Sequence, residues 1–91
     1  DSVTDDEIRA GIRLLAETTG IFTETAGGVT TATLVKLAER GDIDPEDTVV
    51  LVITGEGLKT LDAVRGTFDA VEVDPSYEAF VNEPALAGVA A

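Results

Sequence analysis

The amino-acid sequence predicts an α/β protein in which helices pack on a mostly parallel sheet. An unbroken apolar run over residues 49–53 has no polar alternation, which is typical of a strand buried on both faces. A glycine-rich turn at Gly55–Gly57 follows this run, and helical patterns alternate with strand candidates along the chain. Because only this strand is strongly predicted, we expect the sheet to be incomplete in this chain.

The first helix is predicted to begin after Thr4 and to end near Gly20. Thr4 and Glu7 have the capping-box spacing, a hydroxyl at the N-cap followed by a glutamate three residues later. Acidic residues in the first turn also suit the positive end of the helix dipole. The apolar face of this helix is predicted to contain Ile8, Ile12 and Leu15.

The remaining elements are predicted from turn residues and apolar periodicity. In chain order they are an extended stretch over 21–24, a helix over 29–40, a turn over 44–47, the main strand over 48–53, a helix over 60–64, a weaker strand over 70–73 and a helix over 76–82. The buried stripe of the second helix is predicted to contain Leu34, Leu37 and Ala38. Residues 1–82 are therefore taken as the folded segment, and the Ala- and Gly-rich stretch 83–91 as a frayed tail.

The chain has 91 residues and begins at Asp1, directly before a helix cap and without an initiator methionine. This start is typical of a cut through a longer protein, with a processed terminus as the alternative. A chain of this length buries only a small core. We therefore expect a segment whose partners lie elsewhere.

Acidic residues dominate the charge, with 18 acids against 6 bases and a net charge of −12. Because such a surface repels phosphate backbones and anionic lipids, the sequence argues against nucleic acids and membranes as partners. The dispersed acids favour a solubilising surface, for which adaptation to high salt is one reason; a docking face for a basic partner is the alternative. The apolar runs are too short to cross a bilayer, so we expect a cytoplasmic protein.

The chain contains neither cysteine nor histidine. Disulfides, thiolate or imidazole metal sites and a Ser-His triad therefore cannot be built from it alone. The carboxylates lack the spacing of a calcium-binding loop, and no metal site is predicted.

Thr54 is the first candidate for binding a ligand. It ends the predicted main strand, and in open α/β sheets ligands bind just outside the carboxyl ends of strands. Gly55 and Gly57 allow the backbone to turn sharply beside it. A structural role, in which Thr54 caps the strand end through a local hydrogen bond, is the alternative.

Gly27 and Gly28 precede the second predicted helix, and helix N-termini can bind anions. Two adjacent glycines form neither a P-loop nor a dinucleotide-binding motif. We therefore interpret them as sites of close helix packing.

Two segments carry a resemblance to a known family. Residues 22–28 read Phe-Thr-Glu-Thr-Ala-Gly-Gly, and residues 54–59 read Thr-Gly-Glu-Gly-Leu-Lys. The order of capped helix, first segment, second helix and strand ending in the second segment resembles the C-terminal part of threonine synthases. These are fold type II pyridoxal-phosphate enzymes. The resemblance is densest over residues 3–64 and continues loosely through 71–80.

The resemblance implies a cofactor-binding role for three residues. The Thr54 hydroxyl would donate to the pyridine nitrogen of pyridoxal 5'-phosphate, with Gly55 beside it. Glu24 would line the same site, in a segment that carries Thr25 where many relatives have proline. The lysine that holds the cofactor and the phosphate-binding loop are expected upstream, so Lys59 is not that lysine. No catalytic residue is assigned to this chain.

The implied activity is the conversion of O-phospho-L-homoserine and water to L-threonine and phosphate. The implied partners are the remainder of the catalytic domain and the amino-acid substrate, and a homodimer stays open. This chain alone is expected to be inactive. A serine/threonine dehydratase or cysteine synthase relative is one alternative. A free-standing acidic binding or assembly module without enzymatic activity is another.

Overall fold

The computed structural model describes residues 1–87, and regular structure within them is helical. The elements are helix α1 (Asp5–Thr19), helix α2 (Thr25–Glu39), a 3₁₀ helix (Gly57–Ala63), helix α3 (Tyr77–Val81) and a second 3₁₀ helix (Pro84–Leu86). Thr23 and Glu56 form an isolated antiparallel bridge, and no strand or sheet is present within residues 1–87.

The predicted α/β class, with helices packed on a mostly parallel sheet, is therefore wrong for the described residues. The stretches 48–54 and 70–73 have no regular secondary structure. A strand requires a second backbone to accept and donate its ladder hydrogen bonds, and nothing in residues 1–87 supplies one. The apolar run indicates that this segment favours a buried position. It does not specify which other strand the segment would pair with.

Helix α1 confirms the predicted cap. The Glu7 amide donates to Thr4 Oγ1 at 3.3 Å, and the Thr4 amide donates to Glu7 Oε2 at 2.6 Å, which completes the capping box. At the other end Gly20 adopts a left-handed conformation with φ 76°, and its amide donates to the Ala16 carbonyl at 2.9 Å. This conformation favours glycine and ends the helix at the predicted position.

Helix α2 begins at Thr25, four residues before the predicted start, and its first turn contains both glycines. A Cβ on Gly28 would lie 2.7 Å from Ile12 Cγ1 and 2.8 Å from the Ile8 carbonyl oxygen. Correspondingly, a Cβ on Gly11 would lie 2.6 Å from the Gly28 carbonyl oxygen. The glycines therefore allow α1 and α2 to approach closely, which confirms the packing interpretation for Gly28.

The core is small and lies between α1, α2 and the end of the first 3₁₀ helix. Its buried apolar side chains are Ile12, Leu15, Ala32 and Val64. The stripe predicted for α2 is wrong in part, because Leu34 and Leu37 are only half-buried and Ala38 is exposed. The prediction assumed that α2 covers a sheet, whereas its small residues pack against α1.

The C-terminal part contains short elements. The helix predicted over 60–64 is a 3₁₀ helix that begins earlier, and the last predicted helix is confirmed as α3, capped by Ser76 Oγ, which accepts from the Ala79 amide at 3.1 Å. Within the expected tail, Pro84–Leu86 form a 3₁₀ turn and residues 88–91 lie outside the described part. The division at residue 82 stays a prediction.

Candidate cofactor site

Two distant segments meet at what we call the Glu24–Thr54 corner, formed by residues 22–25 and 54–60. The Glu24 amide donates to the Gly55 carbonyl at 3.1 Å, and the Gly57 amide donates to the Phe22 carbonyl at 3.0 Å. These reciprocal bonds hold the glycine-rich turn against the start of α2. The structure thus brings together all three residues that the sequence assigned to cofactor binding.

The Glu24 carboxylate lies at the centre of the Glu24–Thr54 corner. The Thr54 hydroxyl donates to Glu24 Oε1 at 3.4 Å, and Lys59 Nζ lies 3.9 Å from Glu24 Oε2. The Glu24 side chain is only 18% exposed, whereas that of Lys59 is 65% exposed. Both distances are at the long end for polar contacts, so these interactions orient the carboxylate weakly.

Gly55 allows the carboxylate to lie where it does. A Cβ added to Gly55 would overlap the Glu24 carboxyl group. Gly57 has a comparable contact, since its Cβ would lie 2.5 Å from the Phe22 ring. Glycine at these positions therefore serves close approach of backbone to side chain.

Thr23 was missed by the sequence reasoning. Its side chain is fully buried, and its hydroxyl donates to the Gly55 carbonyl at 3.2 Å. A Cβ on Gly27 would overlap this side chain, so the glycine provides the space that the threonine fills. The available signal was the position of Thr23 immediately before Glu24, but its partner lies 32 residues away.

Thr60 was also missed. Its Oγ1 accepts a hydrogen bond from the Thr25 amide, the first amide of α2, at 3.1 Å. Glu24 occupies the N-cap position of the same helix but makes no side-chain hydrogen bond to it. The hydroxyl that caps α2 is therefore supplied by another segment.

An electrostatic effect on Glu7 lies away from the Glu24–Thr54 corner. Hydrogen bonding from the Thr4 backbone, followed by the bond from Lys36, holds the pKa of Glu7 below its ordinary value of 4.5. Lys36 Nζ lies 2.9 Å from Glu7 Oε1 and donates to the Ser2 carbonyl at 2.9 Å, so it links α2 to the start of α1.

An apolar cavity of about 230 Å³ lies beside the core rather than at the Glu24–Thr54 corner. Its wall is formed by Ile12, Arg13, Ala16, Glu17, Phe22, Val64, Thr67 and Phe68. The charged pair at its rim, Arg13 and Glu17, is joined at 2.6 Å. Binding sites usually combine an apolar wall with convergent polar groups, whereas Arg13 pairs with Glu17 and the Thr67 hydroxyl donates to the Val64 carbonyl.

Within residues 1–87, no cluster of three or more histidine, cysteine, aspartate or glutamate side chains is arranged to hold a metal ion. None of the helices described is long and apolar enough to cross a membrane.

Comparison with known proteins defines the class of this chain. Residues 2–55 match the family described as pyridoxal-phosphate dependent enzyme, and this match spans more than half of the chain and includes Glu24, Thr54 and Gly55. The chain belongs to this family, whose members depend on pyridoxal phosphate.

Individual relatives show which enzymes of this family the chain is similar to. The chain is 40% identical over 75 residues to threonine synthase from Methanocaldococcus jannaschii, covering 81% of this chain and 18% of that protein. It is 44% identical over 69 residues to threonine synthase from Halalkalibacterium halodurans, covering 76% and 20%. Cysteate synthase from Methanoregula boonei is 35% identical over 75 residues, covering 82% and 17%. The chain thus spans about a fifth of the length of these relatives.

The residues at the Glu24–Thr54 corner fit the ring of the family's cofactor. The Thr54 hydroxyl is exposed and held only by a long contact to Glu24, so it is available to a ligand. A neutral hydroxyl can donate to a pyridine nitrogen or accept from a protonated one. Gly55 leaves the backbone beside the hydroxyl without a side chain. This donor set suits the ring, and it does not by itself supply a cradle for the phosphate.

Proposed function

We propose that this chain is part of a threonine synthase and provides the ring-nitrogen contact of its cofactor site. The complete protein would convert O-phospho-L-homoserine and water to L-threonine and phosphate. The observation that carries this proposal is the similarity to threonine synthases over most of the chain, at 40% identity to the Methanocaldococcus jannaschii protein. The meeting of Glu24 and Thr54 within the matched residues supports it.

Thr54 binds the ring in this proposal. Its hydroxyl carries one proton, so donation to an unprotonated ring nitrogen requires this proton to leave Glu24 Oε1. The 3.4 Å contact is long, and the exchange therefore costs little. Unlike a carboxylate, a hydroxyl does not hold a proton on the ring nitrogen, and it moderates the ring's electron demand. When bound, pyridoxal phosphate supplies the electron sink for negative charge that develops on the substrate.

Glu24 holds the Thr54 hydroxyl while the ring is absent in this proposal. Its carboxylate accepts the hydrogen bond from the hydroxyl until the ring nitrogen replaces it as the acceptor. Lys59 partly neutralises the carboxylate from the solvent side. Gly55 keeps the carboxylate close, because a side chain there would displace it.

The other parts of the proposed site belong to other sequence. Lys36 is engaged with Glu7 and Ser2 at the start of α1, and Lys59 contacts Glu24. The proposal therefore places the cofactor-holding lysine and the phosphate loop outside this chain, which alone would be inactive. The remainder of the catalytic domain, the amino-acid substrate, a homodimer and a cytoplasmic location are further parts of the proposal.

Substitution of Thr54 in the full-length gene product tests the proposal. Thr54→Val should lower the rate of phosphate release from O-phospho-L-homoserine by about tenfold and shift the absorbance of the bound cofactor. Thr54→Ser keeps the hydroxyl and should preserve both. Thr18→Val is the control, because it removes a hydroxyl that donates within α1 to the Leu14 carbonyl. A Thr54→Val protein with unchanged rate and spectrum would overturn the proposed contact.

Cysteate synthesis is the second candidate, because the Methanoregula boonei cysteate synthase matches 82% of this chain. The product distinguishes the two candidates: the full-length protein should form threonine and phosphate from O-phospho-L-homoserine under the first, and cysteate under the second. Ammonia release would instead indicate the dehydratase alternative. Family membership argues against the non-enzymatic module.

A further inference from the structure

We propose that Thr60 is a positioning residue that caps α2 in place of Glu24 and so leaves the Glu24 carboxylate free to contact Thr54. The inference rests on the proposed function, since it assigns a supporting residue to the same site. Thr60 lies beyond residues 2–55, the part of the chain that matches the family.

Helices α1 and α2 differ in which residue supplies the side chain that caps the first turn. In α1 the N-cap residue Thr4 accepts a hydrogen bond with its own side chain. In α2 the N-cap residue is Glu24, whose side chain makes no hydrogen bond to the helix, and the Thr25 amide instead donates to Thr60 Oγ1 at 3.1 Å. This bond joins residues 35 positions apart and is partly buried.

The backbone of the 3₁₀ helix breaks at the residue that makes this contact. Thr60 has φ −131° and ψ 40°, which are not helical values, although it lies within Gly57–Ala63. The turn before it is closed by the Lys59 amide, which donates to the Glu56 carbonyl at 3.3 Å. The interruption therefore occurs where a side chain reaches across to α2 rather than at a glycine or proline.

The consequence for Glu24 follows from the electrostatics of a helix N-terminus. Unpaired amides at this end attract an acceptor, and the helix dipole favours negative charge there. If the Thr60 hydroxyl is removed, the Thr25 amide loses its protein acceptor. We expect the Glu24 carboxylate then to turn toward the helix and away from Thr54. Because the Thr60 hydroxyl accepts from the Thr25 amide, the amide does not draw the Glu24 carboxylate away from Thr54.

Variants of Thr60 in the full-length protein, loaded with pyridoxal phosphate, test this role. Thr60→Val removes the hydroxyl at nearly constant volume, and Thr60→Ala is measured in parallel as a smaller replacement. In both, amide hydrogen exchange of a peptide covering residues 22–28 should accelerate about three- to tenfold, as loss of a cap predicts. The cofactor absorbance should also shift, because the Thr54 hydroxyl would lose the acceptor that holds it.

Two control variants separate positioning from general damage. Thr60→Ser retains a hydroxyl and should restore both the exchange rate and the spectrum. Thr67→Val removes a nearby hydroxyl that donates to the Val64 carbonyl at 2.7 Å, outside the Glu24–Thr54 corner, and should change neither. In a Glu24→Gln background the spectral effect of Thr60→Val should shrink, because both changes act through one side chain.

The outcomes distinguish this inference from the proposed function. If Thr60→Val accelerates exchange but leaves the spectrum unchanged, Thr60 is only a structural cap and the inference is overturned. An unchanged rate of amide hydrogen exchange over residues 22–28 would show that Thr60 does not cap α2, and it would also overturn the inference. If Thr54→Val also leaves the spectrum unchanged, the proposed ring contact fails and this inference fails with it. A shift with Thr54→Val and with Thr60→Val, together with rescue by serine, supports both.

Discussion

The pair α1–α2 and the segment Val49–Ile53 are both rich in apolar residues, yet the pair buries its central side chains and the segment leaves several of its own exposed. In the pair, Ile12 and Leu15 are 2% and 6% exposed, whereas in the segment Val50 and Val52 are 81% and 63% exposed. The helices close their backbone hydrogen bonds internally and need only one another for burial. The segment has no regular secondary structure and no backbone partner within residues 1–87, and Leu51 and Ile53 are only half-buried there. Apolar residues therefore stabilise the fold only where another apolar surface covers them.

The overall dimensions agree with this contrast. The radius of gyration is 16.3 Å, whereas a compact chain of this length would have a value of about 12 Å. Phe68, Tyr77 and Phe80 are exposed like the valines of the segment, so the apolar surface extends along the C-terminal half. Mutations should accordingly have large effects in the helix pair and small ones in the segment.

The largest effect is expected from Ile12→Ala in the 91-residue chain. Ile12 is buried between the helices, so its truncation removes apolar contacts and leaves a cavity, which should lower the free energy of unfolding by about 3 kcal/mol. Chemical unfolding followed by circular dichroism measures this loss. The matched change in the segment, Val50→Ala, should alter stability by less than about 0.5 kcal/mol. Equal losses from the two variants would show that the segment is as well packed as the helices.

A smaller but substantial effect is expected from Gly28→Val. A Cβ at Gly28 would meet Ile12 Cγ1 and the Ile8 carbonyl oxygen below 3.0 Å, so the helices must separate. Overpacking of this kind should cost about 2 kcal/mol, measured by the same unfolding experiment. The contact is reciprocal across the helix pair, and Gly11→Val should behave similarly. Retention of full stability in both variants would contradict the close approach of α1 and α2.

Gly55→Ala should have a more modest effect, located at the Glu24–Thr54 corner. The added methyl group would displace the Glu24 carboxylate, which is a flexible and partly solvated group, so we expect a loss of about 1 kcal/mol. The same substitution in a Glu24→Ala background should cost less, because the overlapping group is gone. A thermal-unfolding double-mutant cycle measures the difference, and strictly additive losses would contradict the overlap.

The sequence predicted those features whose determinants are local. The cap of α1 needs only Thr4 and Glu7, and both were recognised from their spacing. The start of α2 was placed too late because glycine disfavours helix interiors, and the prediction gave too little weight to the packing that requires Gly28. The sheet was predicted from one segment, although a sheet depends on a second backbone that no local pattern specifies.

The same distinction applies to the candidate site. Thr54 was chosen first from its place at the end of a predicted strand and then through the family resemblance, Gly55 and Glu24 were assigned to the cofactor through the resemblance, and the cofactor role of all three remains a proposal. Thr23 and Thr60 were missed because each acts through a contact that spans more than 30 residues. The sequence around each threonine does not indicate its partner, which only the folded chain reveals.

The smallest predicted effect is the pH dependence contributed by the ion pair between the two helices. The pKa of Glu7 is lowered by its bond from the Thr4 backbone and, second, by Lys36. A group with a lowered folded pKa stabilises the folded state above its unfolded pKa, here about 4.5, and this contribution is lost as the pH falls through the folded value. Stability of the wild-type protein should therefore fall more between pH 6 and pH 3 than that of Glu7→Gln.

Urea unfolding across this pH range measures the difference between the two proteins. Glu72→Gln, at an exposed position outside the helices, is the control for loss of one negative charge and should follow the wild-type profile. Because Glu7 lies at the surface, added salt should weaken the contribution of Lys36, while the backbone bond from Thr4 persists. Parallel profiles for wild type and Glu7→Gln would mean that the capping box and the ion pair do not favour the ionised carboxylate. In that case the apolar packing between α1 and α2, which the segment Val49–Ile53 lacks, would hold the two helices together without help from this ion pair.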